Sequence, residues 1–358
     1  MALTQLNIDY VRNLSEVRLQ GLAGINVFFG PNGSGKTSVL EAIHLLGMAR
    51  SFRGTSVKSL ISHGQDHCTV FGLAEQALGI RRNRSGEAQI RVGGQNVRTV
   101  AALAEELPLQ VITAESFGLL TGAPGARRQY LDWGVFHVEQ RFFPQWQRFQ
   151  RCIKQRNNLL RRDKIPDQEL EVWTRDLAAS GTDINSYRKA YFEDLAPRFL
   201  GIMAQLSPSL GGLALQFRQG WDKQLGYAEA LAQGMQSDKE QGFTHTGPQR
   251  ADIRVSIDGH SAAETLSRGQ QKLVVCGMKL AQGQMMSESG NGKCTYLIDD
   301  LPSELDEGHA RLVCALLASL DAQVFITCVE QQEVRSVWPE DSELAMFHVE
   351  HGSVAPSA

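Results

Sequence analysis

At 358 residues the chain exceeds one ordinary compact core, and the usual span of about 100–200 residues per domain predicts two or three units. Hydrophobic residues make up 42% and charged residues 21%, which excludes disorder for the bulk of the chain, while a net charge of −3 excludes a uniformly basic nucleic-acid coat. No run approaches the ~18 apolar residues of a membrane span, and MALTQLNIDYVRNL lacks a signal peptide's apolar centre, so the expectation is a soluble, cytoplasmic protein without a membrane partner. In chain order, residues 1–113 read as a strand-rich α/β unit. Leu3–Ile8 alternates like a strand, Ile25–Phe29 is a short apolar run, and Leu78–Val92 reads as a hairpin turning at Arg84-Ser85-Gly86. Residues 114–240 read as a mainly α-helical insertion, helical to about residue 205, with a strand at Leu213–Gln219. Residues 241–358 return to α/β. Ile253–Ile257 ends like a strand, a helix starts at Gly269, Tyr296–Ile298 and Val324–Thr327 read as buried strands with a helix near Glu307–Leu320 between them, and the final GSVAPSA is expected to fray. The six cysteines form no C-x-x-C pair and read as reduced, structural thiols. The group His63, Asp66, His67 and Cys68 matches no zinc spacing.

Gly30, Pro31, Asn32, Gly33, Ser34, Gly35, Lys36 and Thr37 fit G-x-x-x-x-G-K-[ST]. The loop follows an apolar strand and opens a helix whose Val39, Ile43 and Leu46 share one face, which is the context phosphate binding requires. In this pattern the loop's N–H groups wrap phosphate, Lys36 bridges the β- and γ-phosphates of a nucleotide, and Thr37 ligates Mg²⁺, which leaves kinases, GTPases, motors and transporter ATPases open. A second metal anchor is expected at the end of a buried strand, where Asp299 would hold the ion through water and the adjacent Asp300 would act as catalytic general base. Ser267, Gly269 and Gln270 stand at a helix start that offers donors to a γ-phosphate, in principle that of another subunit.

Phosphate loop, S-x-G-Q, acidic strand and the following Ser303-Glu304-Leu305-Asp306 resemble, in that order, an ABC-type P-loop ATPase head. The wide gap from Lys36 to Ser267 resembles the SMC-like branch, with an inserted mainly α-helical lobe too short for a long coiled coil. YVRNL, GPNGSGKTSVLEAIHLL, RRQYLDWGVFH, KQRNNLL, GPQRAD, LSRGQQK and LIDDLPSELD together resemble the RecF family across nearly the whole chain. That resemblance implies ATP and Mg²⁺ as cofactors, an ATP-dependent homodimer, binding to gapped, single-stranded and duplex DNA, and weak DNA-stimulated hydrolysis. It also implies work with RecO and RecR in loading RecA. An ABC ATPase subunit of another system, such as transport, is the alternative. Two positions depart from the ABC pattern. Glu115 stands where a glutamine is usual, and Cys328 where a histidine is usual, so γ-phosphate sensing is expected to be altered. Arg12 and Asn13 are carried over as neighbours of the base.

Charge is uneven. Arg127 to Lys164 holds ten basic and three acidic residues, whereas Thr295 onward holds twelve acidic and two basic. At 100° per residue Phe142, Trp146, Phe149, Ile153 and Leu160 form an apolar stripe. Arg151, Lys154, Arg161 and Arg162 fall opposite it and are the candidate DNA contacts. A second basic group is Arg81, Arg82, Arg84, Arg91 and Arg98 around the hairpin.

Overall fold

A computed structural model describes residues 2–54, 56–290 and 292–357. Gln5–Val11 (β1) and Leu14–Gln20 (β2) bury Leu6, Ile8, Val11, Leu14, Val17 and Leu19 on one face, as expected of strands with one dry side. The apolar run Ile25–Phe29 (β3) leaves them for another sheet. His67–Leu73 (β4), Ala77–Asn83 (β5), Ala88–Val92 (β6) and Gln95–Val97 (β7) complete an antiparallel sheet of order β2-β1-β4-β5-β6-β7. Leu109–Ile112 (β8) follows. Leu213–Arg218 (β9), Asp252–Ile257 (β10) and His260–Ser261 (β11) form a separate antiparallel sheet of order β11-β10-β9. Thr295–Ile298 (β12), Gln323–Cys328 (β13), Leu344–Glu350 (β14) and Ser353–Ser357 (β15) join β3 and β8 in the order β15-β14-β3-β13-β12-β8. All neighbours in this sheet are parallel except β14 and β15. Every residue of β12 and β13 is buried, which is why both read as unbroken apolar runs.

The helix Lys36–Met48 lies between the two larger sheets. Its Val39, Leu40, Ile43 and Leu46 share one core with Leu6, Ile8 and Val70 of the antiparallel sheet and with Phe28, Leu297 and Phe325 of the parallel one. Eleven of its 13 residues are buried, as a helix packed on both sides must be. Close approach depends on missing side chains: a Cβ on Gly47 would stand 2.5 Å from Leu109 Cδ1, and one on Gly72 2.5 Å from Leu46 Cδ2. Truncating Ile43 to alanine here would cost about 2–5 kcal/mol. The helix therefore presents its amino-terminal end, and the loop before it, from a fixed base.

Packing divides the chain into two compact units, one built from the residues up to Ser116 and from Arg268 onward, the other Phe117–Ser267. The second unit carries the helices Pro124–Val138, Phe142–Leu160 and Asp167–Leu206 with the sheet of β9, β10 and β11. Its boundary falls at 267 rather than at 240 because β10 pairs with β9, Ile253 opposite Phe217 and Val255 opposite Leu215. As far as Ser357 the tail is not frayed, and Ala358 lies outside the described residues. Ser353–Ser357 pairs with β14, Val354 opposite Val349, so backbone bonding orders a segment whose side chains show no strand pattern. Among the described residues no helix is long and apolar enough to cross a membrane.

Candidate functional site

The phosphate loop joins the end of β3 to the helix Lys36–Met48. Gly30 and Gly35 adopt φ of 149° and 122°, conformations in which glycine meets no Cβ penalty. A Cβ at Gly30 would also lie 2.2 Å from the Val349 carbonyl oxygen, so the loop is pressed onto β14. Lys36 is buried and its ammonium donates to the carbonyls of Gly30 (2.7 Å) and Pro31 (3.0 Å). The Ser34 carbonyl accepts from Asn13 Nδ2 (3.1 Å) and from the Gly352 N–H (2.9 Å). Ser38 Oγ donates to Asn13 Oδ1 (2.8 Å). Asn13 thus clamps the phosphate loop and lines the cleft beside it. Ser34 Oγ is buried with no hydrogen-bond partner among the described residues.

The acidic strand end closes against this loop. Asp299 accepts from Thr37 Oγ1 (3.0 and 3.2 Å) and from Thr327 Oγ1 (2.7 Å). The Asp300 N–H donates to the same Thr327 hydroxyl (2.9 Å), and Asp300 itself sits at φ 55°, a left-handed conformation that aspartate tolerates better than most side chains. The carboxylate pair is therefore turned at the end of β12, with one member bonded to the loop threonine. Lys272, one turn into the helix Arg268–Glu288, pairs with Glu304 at 2.8 Å.

Asn13, Lys36, Thr37, Asp299, Asp300 and Thr327 border a cleft of about 740 Å³, within the usual size for a small-ligand site. Among the described residues Arg12, Lys36, Arg53, Lys58 and Arg84 line it against Asp299 and Asp300, an electrostatic balance suited to a polyanion carrying a cation. Arg12, at φ 55°, donates from Nε (2.8 Å) and Nη2 (2.7 Å) to the fully buried Glu41 carboxylate, and from Nη1 to the Ser59 carbonyl (2.5 Å). Bonding to Glu41 raises the guanidinium further above its ordinary range. Ser51 Oγ donates to the same carboxylate. Arg84 leaves the candidate DNA group, since its side chain bonds the carbonyls of Gln65 (2.5 Å) and Ser62 (3.1 Å) and faces the cleft. Arg53, Lys58 and His63 also line it. They belong to no motif, and nothing in their spacing pointed to the site.

The remaining predicted residues lie elsewhere. Gly269 is exposed and Gln270 half-buried at the start of their helix, and neither lines the cleft. Ser267 ends the other unit and is exposed. Glu115 is exposed in a short helical turn, Ala114–Phe117. Cys328 is the buried last residue of β13, opposite Phe29, with its thiol pushed up to about 12 by burial. Arg151, Lys154, Arg161 and Arg162 are exposed on or just beyond the helix Phe142–Leu160, whose Phe142, Phe149, Cys152 and Leu159 are buried. Arg162 faces Glu169 at 3.8 Å, and Arg148 pairs with Asp176 at 3.1 Å. Arg156 is not at the surface at all: fully buried, it donates to Asp238 (2.7 Å) and Thr244 Oγ1 (2.6 Å). The exposed positive charge of this tract is accordingly smaller than its composition suggests.

A family model described as RecF/RecN/SMC N terminal domain matches residues 2–355. A Pseudomonas aeruginosa protein named DNA replication and repair protein RecF is 50% identical over 361 residues, spanning 99% of this chain and 98% of its own. The protein of the same name from Azotobacter vinelandii is 50% identical over 360 residues, with the same shares. The chain belongs to the RecF family. A solved structure titled as the recombination mediator protein RecF-ATP in the RecFOR pathway matches at a TM-score of 0.87 and 25% identity, over 99% of both chains. The Smc head domain of Pyrococcus furiosus, at 13% identity, matches at 0.60 over 99% of this chain and 95% of its own, a likeness of fold alone. The RecF-type fold is thus an ABC-type ATPase head, α/β, with an inserted mainly helical lobe.

Proposed function

We propose that this chain is an ATP-gated DNA-binding protein of replication and recombinational repair, acting at single-strand gaps with RecO and RecR to help load RecA. The observation that carries the reading is the closure of Thr37 onto Asp299 beneath a cation-lined cleft. It unites the two halves of a nucleotide site separated by 262 residues of chain. The residues fit a nucleotide. Ser34 Oγ is a buried donor without a partner among the described residues, Lys36 already sits over the loop, and Thr37 with Asp299 forms an oxygen pair of the kind Mg²⁺ takes. Magnesium, when bound there by Thr37 and Asp299, would neutralise phosphate charge. Arg12 and Lys36 would orient the phosphates, and Asp300 would accept the proton of the attacking water. Ser267, Gly269 and Gln270 would complete the site from a second copy, a two-fold arrangement in which each chain lends its signature to the other. The exposed Arg151, Lys154, Arg161 and Arg162 would meet DNA phosphates without reading sequence.

The test is ATP hydrolysis with no DNA and with gapped, single-stranded and duplex DNA, in the parent chain and in Lys36→Met. DNA should stimulate the parent and leave the variant silent. Hydrolysis indifferent to every DNA would favour the transport ATPase and defeat the proposal.

A further inference from the structure

The unit Phe117–Ser267 carries a cleft of about 850 Å³ that is unconnected with nucleotide chemistry. Every residue from Leu215 to Trp221 lines it. Side chains of a strand point alternately to opposite faces, so a cleft touched by consecutive residues runs along the strand's edge. β9 is an edge strand, paired only with β10. The Asp258 N–H donates to Gly212, its partner one rung beyond the ladder's end. Bonding to β10 therefore falls on Ala214, Gln216 and Arg218, and turns the N–H and C=O groups of Leu215 and Phe217 away from the sheet. Across the cleft stands the helix Asp167–Leu206, whose Phe192 packs on Phe217 at 5.8 Å.

The cleft is also basic. Lys189, Arg218, Lys223 and Arg250 line it and are exposed. Of its two acids, Asp252 is held by Arg127 in a two-point pair (2.7 and 3.1 Å) and Glu193 faces Lys189 at 3.9 Å, which leaves Arg218, Lys223 and Arg250 as the cations that set its charge. Phe192, Phe217 and Trp221 supply apolar surface between the cations.

We propose that this cleft docks an extended acidic peptide segment with apolar side chains at alternate positions, added as a strand to the edge of β9. Main-chain bonds to Leu215 and Phe217 supply affinity, the aromatic rings receive one set of side chains, and the cations meet the acidic ones. The six residues of β9 accommodate a partner of about six residues at roughly 3.3 Å each. A single DNA strand would use the cations and rings but not the ladder, so strand-edge geometry favours the peptide. The proposal does not depend on the nucleotide site.

The probe is a fluorescein-labelled peptide alternating aspartate with phenylalanine and valine, titrated against the full chain by fluorescence anisotropy. The parent should bind it, and Arg218→Ala with Lys223→Ala should bind about tenfold more weakly. N-methylation of the peptide's ladder-forming amides should abolish binding with the protein untouched, which separates strand addition from charge attraction. Equal binding of the methylated peptide, or no binding of the parent peptide at millimolar protein, overturns the proposal. Displacement of the peptide by oligothymidylate, with oligothymidylate binding lost in the double variant, would make the cleft a nucleic-acid groove instead. A nucleotide-independent dimer in sedimentation velocity, abolished by the same variant, would assign the edge to a second copy and equally refute it.

Discussion

Replacing Arg12 by leucine should destabilise the nucleotide unit more than replacing Glu41 by glutamine, although both changes break the same pair. The asymmetry comes from burial: the Arg12 side chain is 22% exposed and that of Glu41 is 0% exposed. Without Arg12 the carboxylate keeps, among the described residues, the Ser51 hydroxyl alone, and a stranded buried charge costs about 3–5 kcal/mol. Without the Glu41 charge, the guanidinium retains the Ser59 carbonyl and reaches the open cleft, so the loss should be about 1–2 kcal/mol. The double variant has no buried charge left and should be more stable than Arg12→Leu alone, with a coupling of about 2 kcal/mol.

Urea unfolding reads these differences directly. With a slope of about 3 kcal/mol per molar, Arg12→Leu should lower the midpoint by about 1 M, and the second substitution should restore part of that loss. Equal single costs that simply add in the double variant would refute the reasoning. They would mean that Glu41 is held chiefly by something other than Arg12.

Asp300→Asn should leave ATP binding intact and stall hydrolysis under DNA stimulation; turnover at the parental rate would remove Asp300 as the base. Charge reversal at Arg151, Lys154 and Arg161 should lower affinity alike for unrelated DNA sequences and reduce the log–log salt slope by roughly 0.7–0.9 per lost phosphate contact. An unchanged slope in a folded variant would move the DNA site elsewhere. Inactive Lys36→Met and Ser267→Arg chains mixed in equal amounts should regain about a quarter of parental ATPase, because random pairing makes half the dimers mixed and each mixed dimer holds one intact site. Sedimentation of the mixture with ATP must show dimers, and their absence would end the two-fold proposal. Burial lowers Lys279 to about 8, while the unfolded chain keeps its proton to about 10.5. This residue's contribution to stability should therefore rise with pH between those values, and Lys279→Met should abolish that rise. A parent-to-variant difference that is flat with pH in urea titrations would contradict it.

Much of the nucleotide unit was legible because its physics is local. β12 and β13 are buried on both faces and so appear as apolar runs. The phosphate loop appears as glycines, because the backbone conformations at Gly30 and Gly35 restrict what can stand there. The tail was not legible, since β15 is ordered by its backbone ladder to β14 and its side chains carry no alternation to read. The boundary at 267 was missed for a related reason: β10 reads as a strand wherever it pairs, and only its register with β9 assigns it to the inserted unit.

Charge was the hardest feature to read, because a basic residue counts the same in a sequence whether it faces water or an internal carboxylate. Yet Arg156 carried a signal. It lies seven residues after Phe149, four after Cys152 and three before Leu159, on the face that the helix Phe142–Leu160 buries. A cation on that stripe must have an anion beside it or the helix could not pack. Glu41 states the same requirement with the opposite sign, standing in the run SVLEAIHLL within a helix buried on all sides. In both cases the sequence announces a buried charge but not its partner: Asp238 is 82 residues from Arg156, and Arg12 is 29 from Glu41. Arg156 therefore adds nothing to the exposed basic surface, because its position is incompatible with solvent. Arg12 enters the nucleotide cleft because Glu41 requires a cation at that wall.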